Sequence, residues 1–139
     1  MLERILVVED DRFIREVVTT ALTVEGYVVD VAEDGDQAWR YLSSQKPELI
    51  VLDLALPRMD GLTICRNLRA REDSAHTPVL VVSAMTGRSV VQAALDAGAN
   101  DFLDKPFDLG DLLERVEALI AAGRARRPDK AQAKATTDR

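Results

Sequence analysis

Short apolar runs recur along the chain, each followed by a stretch with helical spacing, and this alternation limits the possible folds more than any other feature. Ile5-Leu6-Val7-Val8, residues 28–32, Leu49-Ile50-Val51-Leu52, Val79-Leu80-Val81-Val82 and residues 101–105 are the five runs. A strand that is apolar at consecutive positions is buried on both faces. Between the runs, apolar residues return every three or four positions, the mark of a helix with one face inward. The sets are Ile14, Val17, Val18, Ala21 and Leu22; Ala38, Tyr41 and Leu42; Leu62, Cys65 and Leu68; Val90, Val91, Ala94 and Leu95; and Leu109, Leu112, Leu113, Val116, Leu119 and Ile120. Gly26 and Gly98 stop two of these helices, Asp34-Gly35 and Asp60-Gly61 turn into two others, and Asp108 caps the last. Residues 70–77 read as a polar loop. Five strand–helix units imply one α/β domain, a parallel sheet with helices on both faces.

A length of 139 residues suits one such domain. Helical periodicity ends at Gly123, so the expected division is a domain at 1–122 and a flexible basic tail or linker at 123–139. No apolar run approaches the ~20 residues of a membrane helix, and no basic-then-apolar leader precedes the first strand, so no membrane role is expected. Cys65 is the only cysteine, which rules out an internal disulfide, suits a reducing cytoplasm, and leaves it as a small buried hydrophobe. His76 is the only histidine, without cysteines nearby, and reads as a surface residue rather than a zinc ligand. Six basic and two acidic residues in 124–139 give that stretch +4, so against a total of −6 the body carries −10. An acidic body argues against direct contact with nucleic acid and favours a bound cation.

A parallel sheet brings the carboxyl ends of its strands to one edge, where open α/β sheets bind ligands. Glu9 and Asp10 follow the first strand, Asp53 ends the third, Ser83 ends the fourth, and Lys105 lies at the end of the fifth. Three carboxylates in one place repel one another, and a divalent cation relieves the repulsion. Magnesium suits one or two carboxylates with water and a phosphate oxygen. A carboxylate nucleophile, a metal, a hydroxyl and a lysine are the parts needed to move a phosphoryl group onto an aspartate. Singly, each residue has a plainer reading: Asp53 as a strand cap, Lys105 as a solvated lysine, Ser83 as a strand end. Asp11 reads as an acid at a helix N-terminus, and Trp39 and Tyr41 as packing residues.

Taken together, Ile-Leu-Val-Val-Glu-Asp-Asp at 5–11, Asp53, Leu-Pro-Arg-Met-Asp-Gly at 56–61, Ser83-Ala84 and Lys105-Pro106-Phe107 resemble the motifs of the response-regulator receiver domain, the CheY-like module of two-component signalling. The resemblance runs from Arg4 to about Ala122. It implies a flavodoxin-like (βα)5 three-layer sandwich with strand order 2-1-3-4-5, an order for which CheY is a standard example. It implies that Asp53 is the phospho-acceptor and that Glu9, Asp10, Asp53 and the Ala55 carbonyl bind Mg2+, Glu9 through water. Lys105 would hold Asp53 and then a phosphoryl oxygen, after a cis bond to Pro106. Ser83 and Phe102 would be switch residues that change the surface of the fourth helix, fifth strand and fifth helix.

The implied partner is a sensor histidine kinase or phosphotransfer protein in the cytoplasm. The resemblance also allows a homodimer through that same surface, with Asp101, Asp111 and Arg115 contributing, although Val91 stands where a basic residue is common. Phe102 replaces the common tyrosine, and Met85 is a bulky neighbour of the site. Such a module is not an enzyme, since it catalyses only its own phosphotransfer and dephosphorylation. A haloacid-dehalogenase-type phosphatase would need an acid two residues after the nucleophile, where Ala55 stands, together with a cap insertion. A flavodoxin would need a phosphate loop where Glu9-Asp10-Asp11 stand. Both a single-domain regulator and a receiver attached to an output domain fit the sequence.

Overall fold

The computed structural model describes residues 2–85 and 87–126. Strands β1 (Arg4–Val8), β2 (Val28–Ala32), β3 (Leu49–Asp53), β4 (Val79–Ser83) and β5 (Asp101–Asp104) alternate with helices α1 (Arg12–Val24), α2 (Gly35–Ser44), α3 (Gly61–Ala70), α4 (Arg88–Asp96) and α5 (Leu109–Arg126). They form one five-stranded parallel sheet of order β2-β1-β3-β4-β5, the expected flavodoxin-like arrangement. Val8 pairs with Leu52 across β1 and β3, so the next residues, Glu9 and Asp53, emerge side by side. Asp53 lies level with Val82 of β4, and Ser83 with Asp104 of β5. Register alone therefore gathers four strand ends at one edge.

Alternation along each strand divides the core in two. Leu6, Val8, Ile50, Leu52, Val79 and Val81 face Ala38, Leu42, Ile64, Cys65, Leu68 and Ala94 of α2, α3 and α4. Ile5, Val7, Leu49, Val51, Leu80 and Val82 face Val18, Leu22, Leu112, Val116 and Ile120 of α1 and α5. Each large aliphatic side chain removed from water stabilises the fold by roughly 1.5–3 kcal/mol. Aspartates start the helices: Asp11, Asp34, Asp60 and Asp108 accept from the N–H of Ile14, Gln37, Thr63 and Asp111 at 2.9, 2.8, 3.0 and 3.2 Å. Asp11 is thus a helix cap, and each such cap contributes about 1 kcal/mol. Helix α4 is held differently. Gly87 precedes it with φ 116° and no side-chain cap, and Ala94 is its one buried residue.

Several boundaries and faces differ from the sequence expectation. β5 ends at Asp104 rather than Lys105, while the Lys105–Pro106 peptide is cis, as the resemblance implies. The loop after α3 contains one 3-10 turn, Glu72–Ser74. α3 buries Ile64 with Cys65 and Leu68, and Leu62 is only half-buried, lining a groove with Arg66 of α3 and Val90 and Ala93 of α4. Leu95 of α4 is exposed. α5 continues through Gly123 to Arg126, past the boundary expected after Ala122. Gly123 is buried, and a Cβ there would come within 3.3 Å of Pro78 Cγ, so this glycine serves close packing rather than a helix stop. The rest of the expected tail, 127–139, lies outside the described residues.

At the edge opposite the four strand ends, the Arg69 guanidinium ties α3 to two loops. It donates to Thr77 O at 2.8 Å, to Gly98 O at 3.0 and 2.7 Å, and to Asn100 Oδ1 at 2.9 Å. Cys65 is buried, and burial pushes its thiol up to about 11, so it packs as an unreactive hydrophobe. His76 is exposed, as expected. Among the described residues no helix is long and apolar enough to cross a membrane.

Candidate functional site

Glu9 and Asp53 are 2 % and 4 % exposed, Ser83 is fully buried, and Asp10 faces solvent. Lys105 Nζ reaches between the two buried acids, 2.6 Å from Glu9 Oε1 and 3.2 Å from Asp53 Oδ2. It is carried there by the turn after β5, which is fastened to β4 by the Lys105 N–H donating to Ser83 O at 2.8 Å. Asp53 Oδ1 accepts from the Ala55 N–H at 3.2 Å, so both carboxylate oxygens are engaged. Glu9 Oε2 accepts from the Asp11 N–H at 3.2 Å. Ser83 Oγ accepts from the Met85 N–H at 3.0 Å and retains its own proton to donate.

The loop from β3 to α3 passes close to Asp53. The Gly61 N–H donates to Leu54 O at 3.0 Å, and a Cβ on Gly61 would lie 2.6 Å from Asp53 O and 2.8 Å from Leu54 Cα. Only glycine permits that approach. The loop is also tied to α2 through the Gly35 N–H on Pro57 O at 3.2 Å, and Arg58 lies 3.5 and 3.6 Å from Asp34 and Asp36.

One ammonium serves two buried carboxylates, and the electrostatics follow from that ratio. Burial, and then the neighbouring Asp53 charge, push Glu9 up to about 7, although the Lys105 ammonium and the Asp11 N–H oppose the shift. Burial pulls Lys105 down, but Glu9 and Asp53 outweigh it and the net shift is upward, so the lysine stays charged. Glu9 Oε1 meets Lys105 as an ion pair yet, buried, makes no hydrogen bond of normal geometry. Glu9, Asp10 and Asp53 each bring a carboxylate oxygen within 4.8 Å of the others. An all-oxygen set of three carboxylates, one of them facing solvent without a partner among the described residues, fits a hard divalent cation such as Mg2+.

The remaining sequence candidates lie toward α4, β5 and α5. Phe102 is half-buried and packs against the α2–α3–α4 side of the core. Arg115 binds Asp101 Oδ1 at 2.8 Å, Asp111 Oδ1 at 3.0 Å and Phe102 O at 3.3 Å, so these three charged residues already pair within one chain. Val91 is half-buried beside them, and Trp39 and Tyr41 pack on the core. Tyr41 also donates to Asp30 Oδ2 at 2.6 Å.

Arg15 went unmarked in the sequence, yet the structure brings its guanidinium to the Glu9 and Asp10 carbonyls at 3.0 and 3.4 Å and to Glu33 Oε1 at 3.3 Å. Its partners are mostly backbone carbonyls, which every residue has, so no residue type could have pointed to it.

Known proteins match this architecture. The family described as the response regulator receiver domain matches residues 5–117. The chain is 47% identical over 117 residues to the response regulator MprA of Mycolicibacterium vanbaalenii, covering 84% of this chain and 50% of that protein. It is 45% identical over 134 residues to MprA of Mycobacterium avium, covering 96% and 57%. The chain thus spans about half the length of the curated relatives it matches. Among solved structures, the receiver domain of a signal transduction histidine kinase from Syntrophus aciditrophicus is similar at a TM-score of 0.83 and 31% identity, covering 92% of this chain and 96% of that one. A CheY-like receiver from Methanospirillum hungatei supports the fold, at a TM-score of 0.86 and 24% identity over 91% of this chain and 100% of that one. With the sheet order, the acids at the strand ends and a family match over most of its length, the chain belongs to the response-regulator receiver domains of two-component systems.

Proposed function

We propose that this receiver is a phosphorylation-controlled switch in which Asp53 accepts a phosphoryl group from a sensor histidine kinase or phosphotransfer protein. The observation that carries the reading is the Lys105 ammonium held between buried Glu9 and Asp53. In the transfer an Asp53 oxygen attacks phosphorus, the bond from phosphorus to the donor imidazole breaks, and the imidazole leaves with the electron pair. Lys105, already charged, is within reach of a phosphoryl oxygen and stabilises the charge that develops there. Asp10 and Asp53 would hold Mg2+ directly, Glu9 through water and Ala55 by its carbonyl. When bound, Mg2+ supplies positive charge against the phosphoryl oxygens. Met85, two residues after Ser83, shields the acyl phosphate from water, and hydrolysis returns Asp53. The domain catalyses nothing else. In this reading it works in the cytoplasm, without touching nucleic acid or membrane.

The test is direct. Incubation with a small phosphodonor and magnesium should add a single phosphoryl group, located on Asp53 by peptide mapping. Label on any other residue defeats the proposal.

The signal leaves through Ser83. Its hydroxyl, now fixed by the Met85 N–H, turns to donate to the new phosphoryl oxygens, and Phe102 fills the space vacated. The ring has no hydroxyl to satisfy, so apolar burial alone favours its inward position. α4 is the element free to respond, with no side-chain cap and a single buried residue. A partner, or a second copy, then reads the surface of α4, β5 and α5. Coupling of this kind typically amounts to about 1–3 kcal/mol. Beryllofluoride with magnesium should shift amide resonances across α4, β5 and α5 in the wild type but not in Ser83→Ala. Equal shifts in both proteins would remove Ser83 from the route.

A further inference from the structure

Asp10 is the most exposed of the three clustered acids, and its carboxylate makes no hydrogen bond or ion pair among the described residues. Its direction is therefore set by the backbone. The two peptide units on either side of the Asp10 Cα end in the Glu9 and Asp10 carbonyls, and one nitrogen, Arg15 Nη1, donates to both, at 3.0 and 3.4 Å. The second unit is engaged at both ends, because its N–H, on Asp11, donates to Glu9 Oε2 at 3.2 Å. Arg15 lies in the first turn of α1 with its side chain only 13% exposed, and its other arm rests on Glu33 Oε1 at 3.3 Å. Helix α1 is itself anchored to the same loop by the Asp11 cap.

We propose that Arg15 is a positioning residue for divalent-cation capture: its guanidinium fixes both peptide planes flanking Asp10 and thereby aims the Asp10 and Glu9 carboxylates. The inference rests on the cation reading above and goes beyond it in assigning a role to a residue that touches neither cation nor phosphoryl group. Charge and geometry make opposite demands here. As a positive charge near the site, Arg15 repels a cation, so its removal should tighten binding. As a clamp on the backbone, it pre-orients the ligands, so its removal should loosen binding. Partners of metal ligands typically account for about 10- to 100-fold in affinity, and the clamp is expected to prevail.

The experiment is a magnesium titration of the unphosphorylated full chain, followed by amide NMR shifts at Asp10 and Asp11, with thermal unfolding of each variant alongside. Arg15→Gln should weaken magnesium binding about 10- to 100-fold. Arg15→Lys, which keeps the charge and loses the two-armed head, should recover part of it and serves as the comparison if the glutamine variant folds poorly. Glu33→Gln removes the ionic partner, leaves the carbonyl bonds, and should bind close to wild type. Unchanged or tighter binding in Arg15→Gln, full recovery by lysine, or an equal loss in Glu33→Gln each overturns the proposal. A wild type that takes up no magnesium overturns the cation reading first, and this inference with it.

Discussion

Asp53→Asn is expected to take up no phosphoryl group at all, while remaining folded. The amide keeps the shape of the carboxylate but has a single acceptor oxygen, so it retains one of the two contacts that Asp53 makes now, with the Ala55 N–H or with Lys105, and loses the other. It lacks the anionic oxygen that attacks phosphorus, so the loss is of the nucleophile rather than of binding. Stability should hold or rise. Glu9 and Asp53 share a single lysine with the Asp10 carboxylate close by, and removing one negative charge relieves like-charge repulsion at a site where Asp53 is 4 % exposed. Incubation with phosphodonor and magnesium, followed by intact-mass measurement and thermal unfolding, checks both parts. Wild-type levels of label in the asparagine variant would show that another residue is the acceptor. A sharp drop in melting temperature would show that the Asp53 charge is a net structural asset.

The largest loss of stability should come from Ile50→Ala. Ile50 is fully buried in β3, between β1 and β4, and belongs to the core on the α2–α3–α4 side. Truncation removes buried methyl groups and leaves a cavity that the closely packed sheet cannot collapse to fill, costing about 2–5 kcal/mol. Small domains have only about 5–15 kcal/mol in total, so the midpoint of urea unfolding should move markedly. The effect should reach the site, because β3 ends three residues later at Asp53. A shift corresponding to less than ~1 kcal/mol would mean that the core relaxes around the gap far more than such interiors usually do. Val31→Ala, at an exposed position on edge strand β2, is the matched control.

Much of this architecture is legible in the sequence because its signals are local. A fully apolar run of strand length cannot sit at a surface, so β1, β3 and β4 announce themselves, and parallel order follows from the intervening helices. The aspartate caps are legible too, since a side-chain oxygen three residues before an open N–H is a short-range arrangement. The faces of the shorter helices are less so. α3 spans ten residues, so several apolar stripes can be drawn through it, and whether Ile64 or Leu62 turns inward is decided by the sheet it meets. Gly123 reads as a stop from propensity alone, but contact with Pro78 lets the helix run on.

The sequence by itself determined the order of strands and helices, the acids and lysine that reach one edge, and the family to which they belong. It did so because those features depend on residue type and spacing. Only the tertiary structure decided that Lys105 stands between Glu9 and Asp53, that Glu9 is driven to about 7, and that Arg15 grips the backbone of the acid pair. These are distances and burials among residues far apart in the chain, or bonds to carbonyls common to every residue, and they exist only once the sheet has closed.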